Sequence, residues 1–527
     1  MDELFQSVNS FFHFVGPISD AFWDFPTNFS WYASIPVLGQ FSFAILLLVG
    51  AGIYFTLRTR FVQTMNFGKI VRIMLRKQSS GTGISALASF MLGLAMRAGP
   101  GNIVGITGAI SVGGPGALFW MWVAAFFGMA TAFMESVLAQ LFKEKKGTEF
   151  VGGLPFYGRR ILGDKRIVGI FLSLVFIVYA LFNVPIQTFN VFTAIGTIAD
   201  TVAGTHFERQ APMYYGVALV VIFCGAFIIL GGIRRVAAYS DVLVPIKATL
   251  FCAMSLVIIL INLPLVPYFF REVFVGAFAP HAIFGGMIGT ALAQGVKRGL
   301  MSNEAGQGTI TMAAAVADND HPCEQGFVQS LGVFFDTMVI CTMTGFIVVM
   351  AHVWTGTIDG QTWESVRNSK LPVYLASVNA LVPSSVGAFV KIVMSTCYGL
   401  FAFTCLLGMI SFAEISSNFI SKSKKFIVSV RVLGSLVFVP FGTLTFLAGL
   451  ELPNLWAISD LMNIIMVYLN VPILLLGAHW VYRALDHYRR TDGGKFISAE
   501  IGIRTDYWVS GEQTHIATPK TSPITRA

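Results

Sequence analysis

Apolar residues in this chain fall into long runs bounded by charge, proline or glycine, with neither the strict alternation of a half-buried strand nor the narrow stripe of a surface helix. The runs predict helices at about 40 to 57, 83 to 112, 115 to 142, 166 to 203, 212 to 232, 235 to 262, 284 to 317, 325 to 352, 385 to 416, 427 to 449 and 455 to 482. Runs of roughly 17 residues or more can cross a hydrocarbon core of about 30 Å as helices. A barrel would show alternating segments of about 10 residues instead. The pattern therefore predicts an all-α integral membrane protein with eleven transmembrane helices.

Two of the runs are interrupted by polar residues near their middle: "MRAGPGN" at 96–102 and "KRGLMSNEAGQG" at 297–308. Setting the first helix aside leaves ten, which divide into five and five, each half opening with an interrupted helix. Because five is odd, the second half starts on the opposite side of the membrane, and the repeat is inverted. The predicted organisation is an extracellular segment at 1–39 and an extra helix with a basic amphipathic connector at 40–82. The five-helix repeats follow at 83–262 and 284–482, and a cytoplasmic tail at 483–527. Unwinding a helix inside a membrane frees backbone N–H and C=O groups that must find polar partners. Paired breaks in two inverted halves are the arrangement in which secondary transporters hold a substrate and a coupling ion.

Composition agrees and adds an orientation. Of 527 residues, 55% are apolar and only 12% charged, about half the charged share of a soluble domain. The net charge of +8 comes from bases clustered in particular loops, which is a topology signal rather than a nucleic-acid footprint. The first 39 residues carry Asp2, Glu3, Asp20 and Asp24 but no Lys or Arg, so no signal-peptide pattern is present. The next loop holds Arg58, Arg60, Lys69, Arg72, Arg76 and Lys77, which places the N-terminus outside. Lys143 to Arg166, Arg234 with Arg235, Lys422 to Arg431 and Arg483 to Arg504 keep the expected parity, while the acidic "DNDH" at 318–321 breaks it. Beyond about Trp508 the chain lacks a core-forming pattern and reads as a mobile tail. The six cysteines show no paired spacing. No metalloprotease pattern or nucleophile elbow appears, which argues against an intramembrane enzyme. A channel would place its filter on an axis between subunits, unlike inverted halves within one chain. A non-transporting sensor stays open as an alternative.

The run from Gly101 to Lys143, then "KRGLMSNEAGQG", then "HPCEQGFVQSLGVFFDTMVICTMTGF" closely resemble the alanine/glycine:cation symporter family of prokaryotic amino-acid transporters, over roughly residues 40 to 485. The resemblance implies a leucine-transporter-type inverted repeat preceded by one extra helix. It also implies symport of a small neutral amino acid with Na+ or H+ in the cell membrane, without another cofactor or a nucleic-acid partner, and possible as a monomer. It places the substrate against Gly99, Pro100, Gly101 and Asn102, Gln187 and Thr188, Gly306, Gln307, Gly308 and Thr309, and Met409. The implied cation lies between the carbonyls of Ala95 and Ala98 and the side chains of Thr404 and Cys405.

Several positions depart from the family. Pro100 stands where Thr is usual and withdraws a backbone donor. Phe189 replaces the Asn of a "QTN" patch, Gln307 and "GTIT" at 308–311 follow the second break, and "GMISFAE" spans 408–414. Cys405 replaces a hydroxyl with a soft thiol, a poor ligand for a hard cation. Arg97 and Glu304 flank the breaks and are expected to pair across them, because a lone charge at mid-membrane is expensive. Glu135, Asp336 and Glu414 are expected to reach interfacial water, and Asp460 to act either as an ion or proton group or as a helix cap.

Overall fold

The computed structural model describes residues 14–35, 38–64, 67–76, 82–278, 287–353, 370–448 and 452–509. Asp2, Glu3, Lys77, the start of the 284–317 run and the expected mobile tail beyond 509 lie outside them. The described chain is helical apart from one hairpin. Its main helices are α1 (Val15–Asp24), α2 (Phe43–Arg58), α3 (Phe67–Leu75), α4 (Ala86–Arg97), α5 (Ile106–Gly113), α6 (Gly116–Leu141), α7 (Leu154–Ile161), α8 (Arg166–Ala203), α9 (Pro212–Leu230), α10 (Ile233–Ile261), α11 (Val266–Phe278), α12 (Met287–Asn303), α13 (Thr311–Ala315), α14 (Pro322–Ala351), α15 (Lys370–Leu381), α16 (Ser384–Ser417), α17 (Lys424–Leu447) and α18 (Leu452–Arg490). The hairpin pairs Glu144–Lys146 with Glu149–Val151. Eight helices are long and apolar enough to cross a membrane, and three shorter apolar stretches cover 43–58, 86–97 and 101–113.

Both predicted interruptions are real. α4 ends because Ala98 leaves helical geometry (ψ 76°) and Pro100 has no N–H to donate; a wide turn over 101–105 then leads into α5. α12 ends at Asn303, and Glu304, Gly306 and Gly308 all take positive φ before α13. The far ends of the two broken helices meet: Ile84 N–H donates to the Val316 carbonyl (3.0 Å) and Asp318 N–H to the Ile84 carbonyl (2.8 Å). α8 and α16 pack along their length beside the first break, and α6 packs against α12 and α14 beside the second.

The basic loops share one face. Lys69 pairs with Asp492 (2.7 Å), Arg160 with Asp506 (2.6 Å), Lys422 with Glu144 (2.6 Å), and Arg234 donates to the Thr148 carbonyl (2.7 Å). The exceptional acidic loop belongs to the same face. Asp320 and Glu324 pair with Arg76 at 3.0 and 2.5 Å, and the Lys143 ammonium donates to the Ala317 carbonyl at 2.8 Å. Its acids are neutralised by bases from other loops, which local charge counting cannot see. The chain after α18 packs back on this face, with the Trp508 indole donating to the Gln140 carbonyl (2.7 Å).

Candidate substrate and cation site

A cavity of about 470 Å³ runs from the ends of α8 and α9 down to the first break. Its mouth carries Asp200, His206, Arg209 and Lys370; its floor and walls include Gly99, Pro100, Gly101, Gln187, Glu304, Cys405 and Met409. The mouth lies at the end of α8 away from the basic face, since α8 begins at Arg166.

At the floor, the amide accounting of the first break is tight. Gly99 N–H donates to the Arg97 carbonyl (2.7 Å) and to Asn102 Oδ1 (2.9 Å), Asn102 N–H donates to the Gly99 carbonyl (3.1 Å), and Pro100 has no N–H. Gly101, the next residue of this quartet, lines the cavity beside Gly99 and Pro100. Asn102 is buried behind the wall, where its Nδ2 donates to Asp336 Oδ1 (2.6 Å). Asp336 Oδ2 accepts from the Ser302 hydroxyl (2.6 Å), so one carboxylate from α14 joins both breaks. The expectation that Asp336 reaches interfacial water fails because two polar partners hold it inside.

Past Glu304, the second break faces away from the cavity. Gly308 N–H donates to Glu135 Oε2 (3.1 Å), and Asn470 Nδ2 bridges Glu135 Oε2 and the Gly306 carbonyl, each at 3.0 Å. Glu135 is therefore a buried acceptor for freed backbone, not an interfacial acid. Glu414 likewise is buried and pairs with Arg431 (2.5 Å). The Gln307 amide donates to the Leu300 carbonyl (3.4 Å) and accepts from Tyr179 (3.5 Å), and Thr309 donates to Glu304 Oε2 (2.6 Å). Thr188 spends its hydroxyl on the Val184 carbonyl (3.0 Å) and is fully buried, so it too stands behind the wall.

Arg97 and Glu304 do not form an ion pair. Arg97 Nε donates to the Asn303 carbonyl (2.9 Å) and Nη1 to the backbone and side-chain oxygens of Gln329 (2.9 and 3.2 Å). The carbonyls at the C-terminal end of α12 offer a negative pole close by, which suits a guanidinium. Asp460 neither caps nor stands alone: it lies inside α18 and meets Arg298 at 3.2 and 3.3 Å, while the Trp23 indole donates to its carbonyl (3.0 Å).

The implied cation position holds a surprise. The Lys247 ammonium, from the middle of α10, donates to the Ala98 carbonyl (2.7 Å), to Thr404 Oγ1 (2.5 Å) and, at 3.4 Å, to the Ala95 carbonyl. It lies 5.1 Å from the Phe401 ring centroid and is fully buried. These oxygens are three of the four groups that the family resemblance assigns to a cation. A second unit charge within about 4 Å of the ammonium would be repelled by about 4 kcal/mol at an effective dielectric of about 20. The residues present thus do not fit Na+ at this place. Sequence reading passed over Lys247 because it sits inside an otherwise apolar run; a lone lysine at mid-span was the available signal.

The sequence model of the sodium:alanine symporter family matches residues 30–497. The chain belongs to that family. It is 33% identical to the amino-acid carrier protein AlsT of Bacillus subtilis, over 88% of this chain and 91% of that one. It is 33% identical to the probable sodium/glutamine symporter GlnT of the same organism (85% and 87%), and 34% identical to the sodium/alanine symporter AgcS of Methanococcus maripaludis (82% and 91%). In three dimensions it shares the fold of MhsT, solved in complex with L-phenylalanine, with TM-score 0.54, 14% identity, and 78% of this chain and 93% of that chain covered. This sodium:alanine symporter family member is a membrane transporter and not an enzyme.

Proposed function

We propose that the chain is a secondary active symporter that carries a small neutral amino acid, such as alanine or glycine, with a cation, by alternating access across the cell membrane. The observation that carries this reading is the convergence of a helix broken at Ala98 and a deep cavity whose floor is that break. The substrate carboxylate is assigned to the backbone of the first break at Gly101, which lines the cavity where a helix begins and N–H groups favour an anion. Gln187, Cys405 and Met409 wall the space around it, and Asn102, Thr188 and Gly306 to Thr309 hold that wall from behind.

The chain is read as eleven spans, one extra helix followed by two five-helix halves in an inverted repeat, supported by the meeting of Ile84 with Val316 and Asp318 at one face. The shared basic face is assigned to the cytoplasm by the excess of Lys and Arg, which makes the cavity open outward. The amide and hydroxyl groups of Asn183, Gln187, Ser459 and Asn463 along the cavity favour glutamine or serine as the alternative substrate.

Uptake of labelled alanine, glycine, serine and glutamine into proteoliposomes tests the reading. Saturable uptake driven by an imposed Na+ or proton gradient is the expected result; no uptake of any of the four under either gradient overturns it.

A further inference from the structure

The reading of the chain as an amino-acid:cation symporter leaves the coupling ion open, and one side chain bears on it. We propose that Lys247 is a tethered cation standing in for Na+ between the first broken helix and α16, so that amino-acid binding does not require Na+ at this place. This rests on the symporter reading and deepens it.

Two independent observations support the assignment. The ammonium donates to the Ala98 carbonyl at an ordinary distance and to the Thr404 hydroxyl at a short one, with the Ala95 carbonyl at the limit, so its three N–H groups match the three oxygens offered. The fourth position, Cys405, presents a thiol where an ion would need oxygen, and no bond from Lys247 is needed there. Substituting a hydroxyl by sulfur costs a hydrated metal ion a ligand, whereas it costs an ammonium with three acceptors nothing. Both changes point the same way.

Among the described residues, the neighbours of Lys247 supply no competing partner. On α4 the charged group is Arg97, whose guanidinium is committed to Asn303 and Gln329. On α14 it is Asp336, committed to Asn102 and Ser302. The Lys247 charge is therefore met by uncharged oxygens and an aromatic face, as a bound alkali cation would be. Pro245, two residues earlier, removes one helical hydrogen bond of α10 beside this point.

The test compares the purified full-length protein with the double variant Lys247→Ala/Cys405→Ser and with Lys247→Met, which keeps side-chain length. Binding of radiolabelled Na+ and of L-alanine is measured in sodium and in choline buffers. The wild type should bind L-alanine with affinities in the two buffers that agree within about threefold and should take up no radiolabelled Na+ at this place. Opening the cage and restoring its fourth oxygen, in Lys247→Ala combined with Cys405→Ser, should create Na+ binding and make L-alanine affinity at least about tenfold better in sodium than in choline, whereas Lys247→Met, which fills the cage, should gain none. A wild-type affinity that rises about tenfold or more with Na+, or a Lys247→Ala/Cys405→Ser double variant that gains no Na+ binding, overturns the proposal. Because Na+ binding is read without any amino acid, a failure of wild type to bind or transport neutral amino acids sinks the symporter reading separately and leaves the Lys247 assignment decided by the ion measurement.

Discussion

At the scale of single residues, the site is built from buried groups that hold broken backbone. Asp336 uses one carboxylate oxygen for Asn102 and the other for Ser302, so it can serve both donors only as an acid with two acceptors. Asp336→Asn puts an NH₂ against one of them. We expect a stability loss of about 1–3 kcal/mol and reduced uptake, read by thermal unfolding of the detergent-solubilised protein and by transport in parallel. Unchanged stability would mean the two breaks are not joined there. Pro100 offers the opposite experiment. Its φ of −55° suits Thr, so Pro100→Thr adds an N–H at the cavity floor without strain. If that amide faces the substrate, L-alanine affinity should rise by up to about tenfold, the worth of one hydrogen bond to a charged group. An unchanged affinity would show that the new amide is taken by the Met96 carbonyl one turn back. Position and residue type at the first break could be read from the sequence; that the Gly99 amide is already taken could not, because it depends on how the Asn102 side chain and the Arg97 carbonyl fold back onto it.

At the scale of elements, the long helices were legible because apolar runs and their stops coincide. α8 spans the predicted 166 to 203, ending where Gly204 takes the left-handed conformation. α3, α7, α11 and α15 were missed as helices of their own. Each is short and mixed in composition, so its helicity comes from packing on neighbours, which a search for long apolar runs passes over. The breaks show the same division. Gly308 has φ of +75°, and a Cβ there would stand 3.0 Å from the Asn470 side chain that bridges Glu135 and Gly306. Gly308→Ala should therefore cost about 1–2 kcal/mol, from backbone strain of the left-handed region and displacement of that bridge. Gly105, in the wide turn after the first break, has φ of −65°, and a methyl group added there would meet nothing within 4 Å, so Gly105→Ala should leave the unfolding midpoint unchanged or raised. Equal losses for the two alanine variants would refute the idea that the second break alone depends on left-handed glycine geometry.

At the scale of the molecule, one face is tied together by contacts between loops far apart in sequence. His321 sits at its centre, fully buried at the start of α14. Its Nδ1 accepts the Cys323 amide (3.1 Å), which leaves Nε2 protonated to donate to His487 Nδ1 (3.1 Å), and His487 Nε2 then donates to Glu500 (2.7 Å). This chain fastens the segment after α18 to the 318–321 loop. Burial, with repulsion from His487 second, holds the His321 imidazole down to about 3, whereas an unfolded histidine titrates near 6.5. The neutral ring is the one the folded protein keeps, so its contribution is fully present above about pH 6.5 and is lost as pH falls toward about 3. At about pH 4.5, two units into that window, the loss is on the order of 3 kcal/mol. The unfolding midpoint of the wild type should fall between pH 7 and 4.5 by more than that of His321→Gln, whose amide oxygen can still accept from Cys323 but cannot take a proton in this range. The same comparison probes the fold's organisation. If the two proteins lose stability in parallel, His321 is hydrated in the folded state and the segment after α18 is not sealed against the 318–321 loop. If the wild type alone is acid-sensitive, the acidic loop that broke the charge parity is held inside the basic face by a neutral histidine as well as by Arg76 and Lys143.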